Sequence, residues 1–441
     1  MADLQHLKEP IINQTNVALQ ITKQLLEQEF HGKNMIYSPQ SIHIVLSLIA
    51  ARNNCPQLLS FLNSKSIAEL NSLAGDLVTS VLVDLPTRGG PRLNFTNGVW
   101  VDESEPLDES YKKVVLDSYK AALNHVDFKT NPKQVRSQVN AWVKKETKGL
   151  IPQILPPGSI KIETSLICVN ALYFKATWSK PYFTKPKTKE HEFHLMNGDS
   201  VMKVPFMTSN DCHYIGAFDG FKVLRLFSRK YEDGELFEDL SHLSRTGNRK
   251  YDDYRKFSIF WLLPDARDGL PALVERVCTE SGFLDRHTDL RYVRVGEFLI
   301  PKFKMSSRFE ASGVLKKMGL GDVLDLIEIV HESAVIEVDE NGTTAAAATY
   351  AVISCSAGKA SEPDEKLDFV ADHPFMFLIR EDMTGTVLFS LHGAGPQSSS
   401  GLITIILLED VLCKQVNFLG FHYASYFCSL DYSFSLLIVL S

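Results

Sequence analysis

Residues able to do chemistry are plentiful in this chain, but few fall at spacings that chemistry can use. Glu337-Val338-Asp339-Glu340-Asn341-Gly342 starts like a calcium-binding loop, with oxygen ligands at alternate positions and glycine sixth. The bidentate acid such a loop needs at its twelfth position is Ala348 here, and Ser333 to Val338 is β-prone rather than helical. His392-Gly393-Ala394-Gly395 is similar to a glycine-rich oxyanion loop, yet no G-x-S-x-G elbow supplies a nucleophile. Walker, dinucleotide-binding and H-E-x-x-H motifs are also missing, and the 13 histidines form no spaced cluster. The seven cysteines (Cys55, Cys168, Cys212, Cys278, Cys355, Cys413, Cys428) are odd in number and contain no C-x-x-C pair. That usage fits free thiols in a reducing compartment rather than a disulfide framework or a zinc site. No metal, no cofactor and no catalytic constellation is expected.

The segment with a physical signature is Thr343-Thr344-Ala345-Ala346-Ala347-Ala348-Thr349-Tyr350-Ala351-Val352-Ile353. Four consecutive alanines ordinarily favour helix or a flexible loop. Read with a period of two, Thr343, Ala345, Ala347, Thr349, Ala351 and Ile353 share one face. Thr344, Ala346, Ala348, Tyr350 and Val352 share the other, and neither face carries a charge. Such a segment could enter a crowded sheet without burying an ion, a cost of several kcal/mol. The residues after it, 354–368, are polar and loop-like. The segment therefore combines an exposed loop with a strand in waiting.

The surrounding elements are those of a large soluble domain. The 441 residues are 44% hydrophobic and 22% charged, with a formal net charge of −7, so no positive excess exists to neutralise phosphates. Nucleic-acid binding is not expected. The spacing predicts an amphipathic helix over 16–30 and, after Ser38-Pro39, an almost wholly apolar and therefore buried helix over 42–50. Strands are expected over 93–101, 165–174, 257–263, 333–353 and 369–389, and helices over 111–122 and 132–148. The polar stretch 228–256 reads as a surface insertion, and strands and helices mix without βαβ alternation, which points to one α+β unit. The amino end lacks an apolar signal region, so a cytoplasmic protein is expected, with release by an unconventional route left open. The sequons Asn13-Gln14-Thr15 and Asn94-Phe95-Thr96 are then chance matches.

Several motifs, in order, carry a resemblance. They are Asn34 through Ser41, Phe95-Thr96-Asn97-Gly98-Val99-Trp100-Val101-Asp102, Asn140-Ala141-Trp142 through Ile151, and Asn170-Ala171-Leu172-Tyr173-Phe174 through Trp178. Glu340-Asn341-Gly342-Thr343 and Phe369 through Ile379 complete the set. On these residues the chain resembles the serpins, most closely those of plants, over 1 to about 389. The resemblance implies a single serpin domain over 1–389 with a large, mainly antiparallel central sheet, two smaller sheets, surrounding helices and an exposed reactive-centre loop at about 340–368. It also implies a suicide-type inhibitor that traps a serine or papain-like cysteine protease as an acyl-enzyme while the cut loop inserts into the sheet. The alternative is a non-inhibitory serpin-fold binding or storage protein.

The same resemblance places the hinge at Glu340, Asn341 and Gly342. Counting along the family's loop puts the reactive bond at Ser356–Ala357, preceded by Ser354 and Cys355, with Lys359 as another candidate. A small residue such as Ser356 suits a shallow protease pocket. Sheet-opening support is assigned to Lys302, paired with Glu340, to Trp178 below it, and to Ser38, Ser41 and Asn170 where the strands part. The expected partner is the protease, with no membrane; the chain is expected to be a monomer whose failure mode is the loop–sheet polymer. Two departures stand out. His331 matches the family's central strand histidine but lies one residue farther from Glu340 than usual, so a bulge is needed to keep its face. Ser390 to Pro396 is not expected to complete the last strand, and 390–441 forms an atypical extension whose 397–441 tail has no serpin counterpart. An altered transcript or gene model, or else a folded partner-binding extension, would explain that tail. Its apolar runs fall short of the roughly 20 residues of a membrane helix.

Overall fold

The computed structural model describes residues 4–28, 34–82, 92–149, 151–179, 182–196, 200–228, 257–288, 290–324, 331–340, 342–343 and 366–393. The chain divides into two units, Met1–Ser398 and Ser399–Ser441, and every described residue belongs to the first.

Six helices precede and flank the first long strands: α1 (Lys8–Gln28), α2 (Pro39–Asn53), α3 (Pro56–Phe61), α4 (Ile67–Asp76), α5 (Glu109–Asp117) and α6 (Pro132–Glu146). Ser38 caps α2 by accepting from the Ser41 backbone N–H at 3.2 Å, and Pro39 occupies the first turn, where its missing N–H costs nothing. Every residue of α2 from Pro39 to Ala50 is buried, which is what its lack of a polar face requires. The helix expected over 111–122 stops at Asp117 instead. Lys120 takes a left-handed φ of 47°, and the chain turns there into the strand that starts at Ala122.

Strands in the first half are β1 (Met35–Tyr37), β2 (Arg92–Asp102), β3 (Ala122–Val126), β4 (Leu166–Thr177), β5 (Lys189–His194), β6 (Ser200–Thr208), β7 (Cys212–Phe218) and β8 (Phe221–Ser228). The second half adds β9 (Phe257–Pro264), β10 (Arg291–Pro301), β11 (Phe303–Glu310), β12 (His331–Val338), β13 (Gly342–Thr343), β14 (Leu367–Val370), β15 (Phe375–Glu381) and β16 (Val387–Gly393). A ten-stranded sheet runs β1-β16-β15-β9-β8-β7-β10-β6-β5, with β14 alongside β10. The expected α+β architecture with mainly antiparallel sheets is present; the β2–β3 and β10–β14 pairs are parallel. The stretch 229–256 lies outside the described residues, but its ends close a hairpin: Ser228 pairs directly with Phe257. At the carboxyl end the structure corrects the expected early stop. β16 continues to Gly393, opposite Phe375, because Ser390, Leu391 and His392 keep backbone partners on both β15 and β1.

The remaining strands form a sheet ordered β13-β4-β2-β3 and the separate antiparallel pair β11–β12. Among the described residues no ladder joins β4 to β12. Among the described residues these two long strands belong to different sheets, and the chain passes from β12 to the edge of β4 through β13.

Candidate functional site

The crossing point is held by three side chains. Trp178, at the end of β4, donates its indole N–H to the Asp339 carbonyl at 2.9 Å. It is itself buried against the rings of Tyr182, Phe183 and Trp261. Glu340 follows and is only 6% exposed. Its carboxylate accepts from Thr188 Oγ1 at 2.8 Å and from Lys302 Nζ at 3.0 Å, one on each oxygen. Lys302 reaches it because the turn between β10 and β11 is fixed by the Lys302 backbone N–H donating to the Pro205 carbonyl at 2.8 Å. Burial works against the Glu340 charge, but its own backbone N–H, the Lys302 ammonium and the Thr188 hydroxyl together hold the carboxyl below its ordinary range.

Beyond Glu340 the backbone changes partner. Gly342 pairs with Thr177 and Thr343 with Ala176, both on β4, in antiparallel register. The first two residues of a new strand thus already lie on the edge of β4 opposite the β2 edge.

Lower on β4, a chain of buried polar side chains links the strand to α2. Ser41 Oγ donates to Asn170 Oδ1 at 2.6 Å, Asn170 Nδ2 donates to Asn97 Oδ1 at 2.7 Å, and Asn97 Nδ2 donates to the Tyr119 carbonyl at 2.7 Å. Each amide uses both of its ends, so a shift of one strand obliges the others to find new partners.

The structure therefore brings Lys302, Trp178, Glu340, Gly342 and Thr343 together at one end of β4, and Ser38, Ser41 and Asn170 midway along it. Asn341, Thr344, Ala345, Ala346, Ala347, Ala348, Thr349, Tyr350, Ala351, Val352, Ile353, Ser354, Cys355, Ser356, Ala357 and Lys359 lie outside the described residues, as does the 397–441 tail. The β11–β12 ladder runs from Glu310–His331 to Phe303–Val338 without a register shift, so no bulge lies in that stretch. Sequence reading missed Thr188 and Asn97 as members of the site. Nothing in the local pattern marks Thr188, whereas Asn97, a polar residue in an apolar strand, carried a usable signal. In the calcium-like stretch Glu337 and Val338 lie in β12, Glu337 opposite Lys304, and among the described residues no acidic or histidine cluster could hold a metal.

The family model described as serpin (serine protease inhibitor) matches residues 12–390. The chain belongs to the serpin family. Serpin-ZX of Arabidopsis thaliana is 42% identical over 405 residues, spanning 87% of this chain and 97% of the relative. Serpin-Z7 of Hordeum vulgare is 40% identical over 416 residues, spanning 89% of this chain and 98% of its own. Among solved structures, the native stressed conformation of Arabidopsis AtSerpin1 superposes with a TM-score of 0.75 at 38% identity, covering 89% of this chain and 99% of that one. Human kallistatin, at 20% identity, TM-score 0.69 and coverage of 88% of this chain and 99% of its own, shares the serpin fold. Among the described residues of this serpin no helix is long and apolar enough to cross a membrane.

Proposed function

We propose that this serpin is a suicide-type inhibitor that traps a serine or papain-like cysteine protease, with 1–389 as the inhibitory domain. The observation that carries the reading is the register of β13 on β4. Extended without a slip from Gly342–Thr177 and Thr343–Ala176, it runs Thr343 to Ile353 opposite Ala176 to Leu166, the whole remaining length of β4. The uncharged segment and the remaining length of β4 are matched.

The faces match as well. In that register Ala345, Ala347, Thr349 and Ala351 come opposite Phe174, Leu172, Asn170 and Cys168, whose face carries the contact to α2 through Ser41. Small residues meet the larger side chains there, and Thr349 brings a hydroxyl level with the polar chain. A protease that attacks Ser356–Ala357 would form its ester or thioester at Ser356 while the cut end is drawn down this edge. The distorted protease then loses the geometry it needs to hydrolyse that bond. Lys302, Thr188 and Trp178 hold the entrance in the uncut chain. The partner is the protease alone, the working state a monomer, and the compartment the cytoplasm.

The test is incubation with a panel of serine and cysteine proteases followed by denaturing electrophoresis. A covalent complex at the mass of the protease plus residues 1–356 is expected, with a released fragment beginning at Ala357 by mass analysis. Cleavage at this bond without any complex would support the binding or storage alternative instead.

A further inference from the structure

An added strand on β4 cannot enter without meeting what covers the sheet. Ile167 and Val169, on the face of β4 away from α2, pack in one cluster with Val135, Val139 and Val143 of α6 and Ile151, Ile154 and Leu155 of the segment that follows it. That segment is bound tightly to the helix. Asn140 accepts from the Ile154 and Leu155 backbone N–H groups at 2.9 Å each and donates to the Leu155 carbonyl at 3.0 Å. Thr147 Oγ1 accepts from the Ile151 N–H at 3.1 Å. Helix and segment thus form one lid. Its contact with the strands below is largely apolar and includes the edge-on Trp100–Trp142 ring pair at 5.2 Å.

A hydrogen bond also crosses from sheet to lid. Asn94 on β2 donates its Nδ2 to the Glu146 carbonyl, in the last turn of α6, at 2.6 Å. Thr96 Oγ1 donates to Asn94 Oδ1 at 3.0 Å, which turns the amide so that its NH2 faces the helix. Asn94 lies opposite Tyr173, near the end of β4 where β13 enters. The tie is therefore level with the first residues of any inserting strand. The same bonds leave the Asn94 amide occupied, so this sequon serves the fold.

The geometry points to Asn94 as a positioning residue that tethers the α6 lid and sets how fast the cut loop enters the sheet. This rests on the insertion reading above. Losing one such hydrogen bond in the barrier speeds entry about fivefold. The variant Asn94→Asp keeps the size and the Thr96 partner but has no N–H to donate. Ser66→Ala serves as a control, because Ser66 caps the remote helix α4 by accepting from the Glu69 N–H at 3.1 Å.

The full chain is cut in the loop with thermolysin, whose water nucleophile forms no acyl-enzyme. Tryptophan fluorescence, to which the Trp100–Trp142 pair contributes, then follows lid movement in stopped flow. The expected result is an Asn94→Asp rate about fivefold above the parent, a Ser66→Ala rate equal to the parent, and cut forms that all melt alike. An Asn94→Asp rate equal to the parent, or an equal acceleration in Ser66→Ala, overturns the tether while leaving insertion intact. A cut parent chain that melts no higher than the uncut one removes insertion itself, and the tether with it.

Discussion

β9 and β12 are both strands of a serpin sheet, yet they sit in opposite situations. β9 lies between β8 and β15, paired along both edges and buried at all of its residues from Phe257 to Pro264. β12 has β11 on one edge and, among the described residues, no ladder on the other. The first region has ladder partners on both sides. Beyond the second, Gly342 and Thr343 start a strand on the edge of β4. Strand-forming composition is common to both; what separates them among the described residues is the second ladder. On the trapping mechanism proposed above, metastability would be a property of one edge and not of the whole core.

Charge placed in each region separates them most sharply. Leu224→Asp, in the fully paired β8 where Leu224 is 0% exposed, buries an unpartnered carboxylate and should prevent folding, read as loss of soluble, cooperatively melting protein. Ala347→Asp should leave the melting of the uncut chain within about 0.5 kcal/mol of the parent. It should nevertheless reduce covalent complex formation at least about tenfold, because the charge must then enter the sheet. If Ala347→Asp traps protease normally, the two regions are not different in the way described.

Glu340→Lys should act at the entrance. It replaces an anion held by Lys302 and Thr188 with a second cation beside Lys302, so the strands part early and higher-mass species appear on a sizing column. Monomeric, fully inhibitory Glu340→Lys protein would remove the entrance role. Asn170→Ala leaves the partners of the polar chain unsatisfied, and a loss of about 1–3 kcal/mol in denaturant unfolding is expected. An unchanged midpoint would mean that Ser41 and Asn97 are served by other groups.

The smallest effect is in pH, and its sign differs between the regions. Glu340 sits below its ordinary value of 4.5, so the folded state holds fewer protons there and its contribution is lost as pH falls below about 4.5. Glu381, at the end of β15, is pushed up by burial despite donations from Thr384 and Met383. The folded state then holds more protons, and Glu381 favours folding as pH falls from its raised value toward 4.5. Glu340→Gln should flatten the acid limb of a stability profile measured below about pH 4.5, and an unchanged acid limb would contradict the bonded carboxylate.

Much of this was legible in the residues. The apolar run after Ser38-Pro39 requires a helix buried on every side, and the period-two pattern of Thr343 to Ile353 marks a segment fit for a sheet. The placement of β12 and β4 in different sheets was not legible, because the two are equally strand-like and their separation depends on which long-range partners are present. Thr188 was invisible for the same reason: it meets Glu340 across 152 residues of chain. The continuation of β16 was misjudged because Ser390 to Gly393 departs from the family in side chains, while the ladder needs only backbone.

On the proposed mechanism the edge of β4 stores the free energy of an added strand. That claim is tested most directly by nicking the full chain in its loop and melting cut and uncut forms side by side. The account predicts that the cut form melts about 10 °C or more above the uncut one, equivalent to several kcal/mol. Equal melting temperatures, or a lower one after cutting, would contradict it.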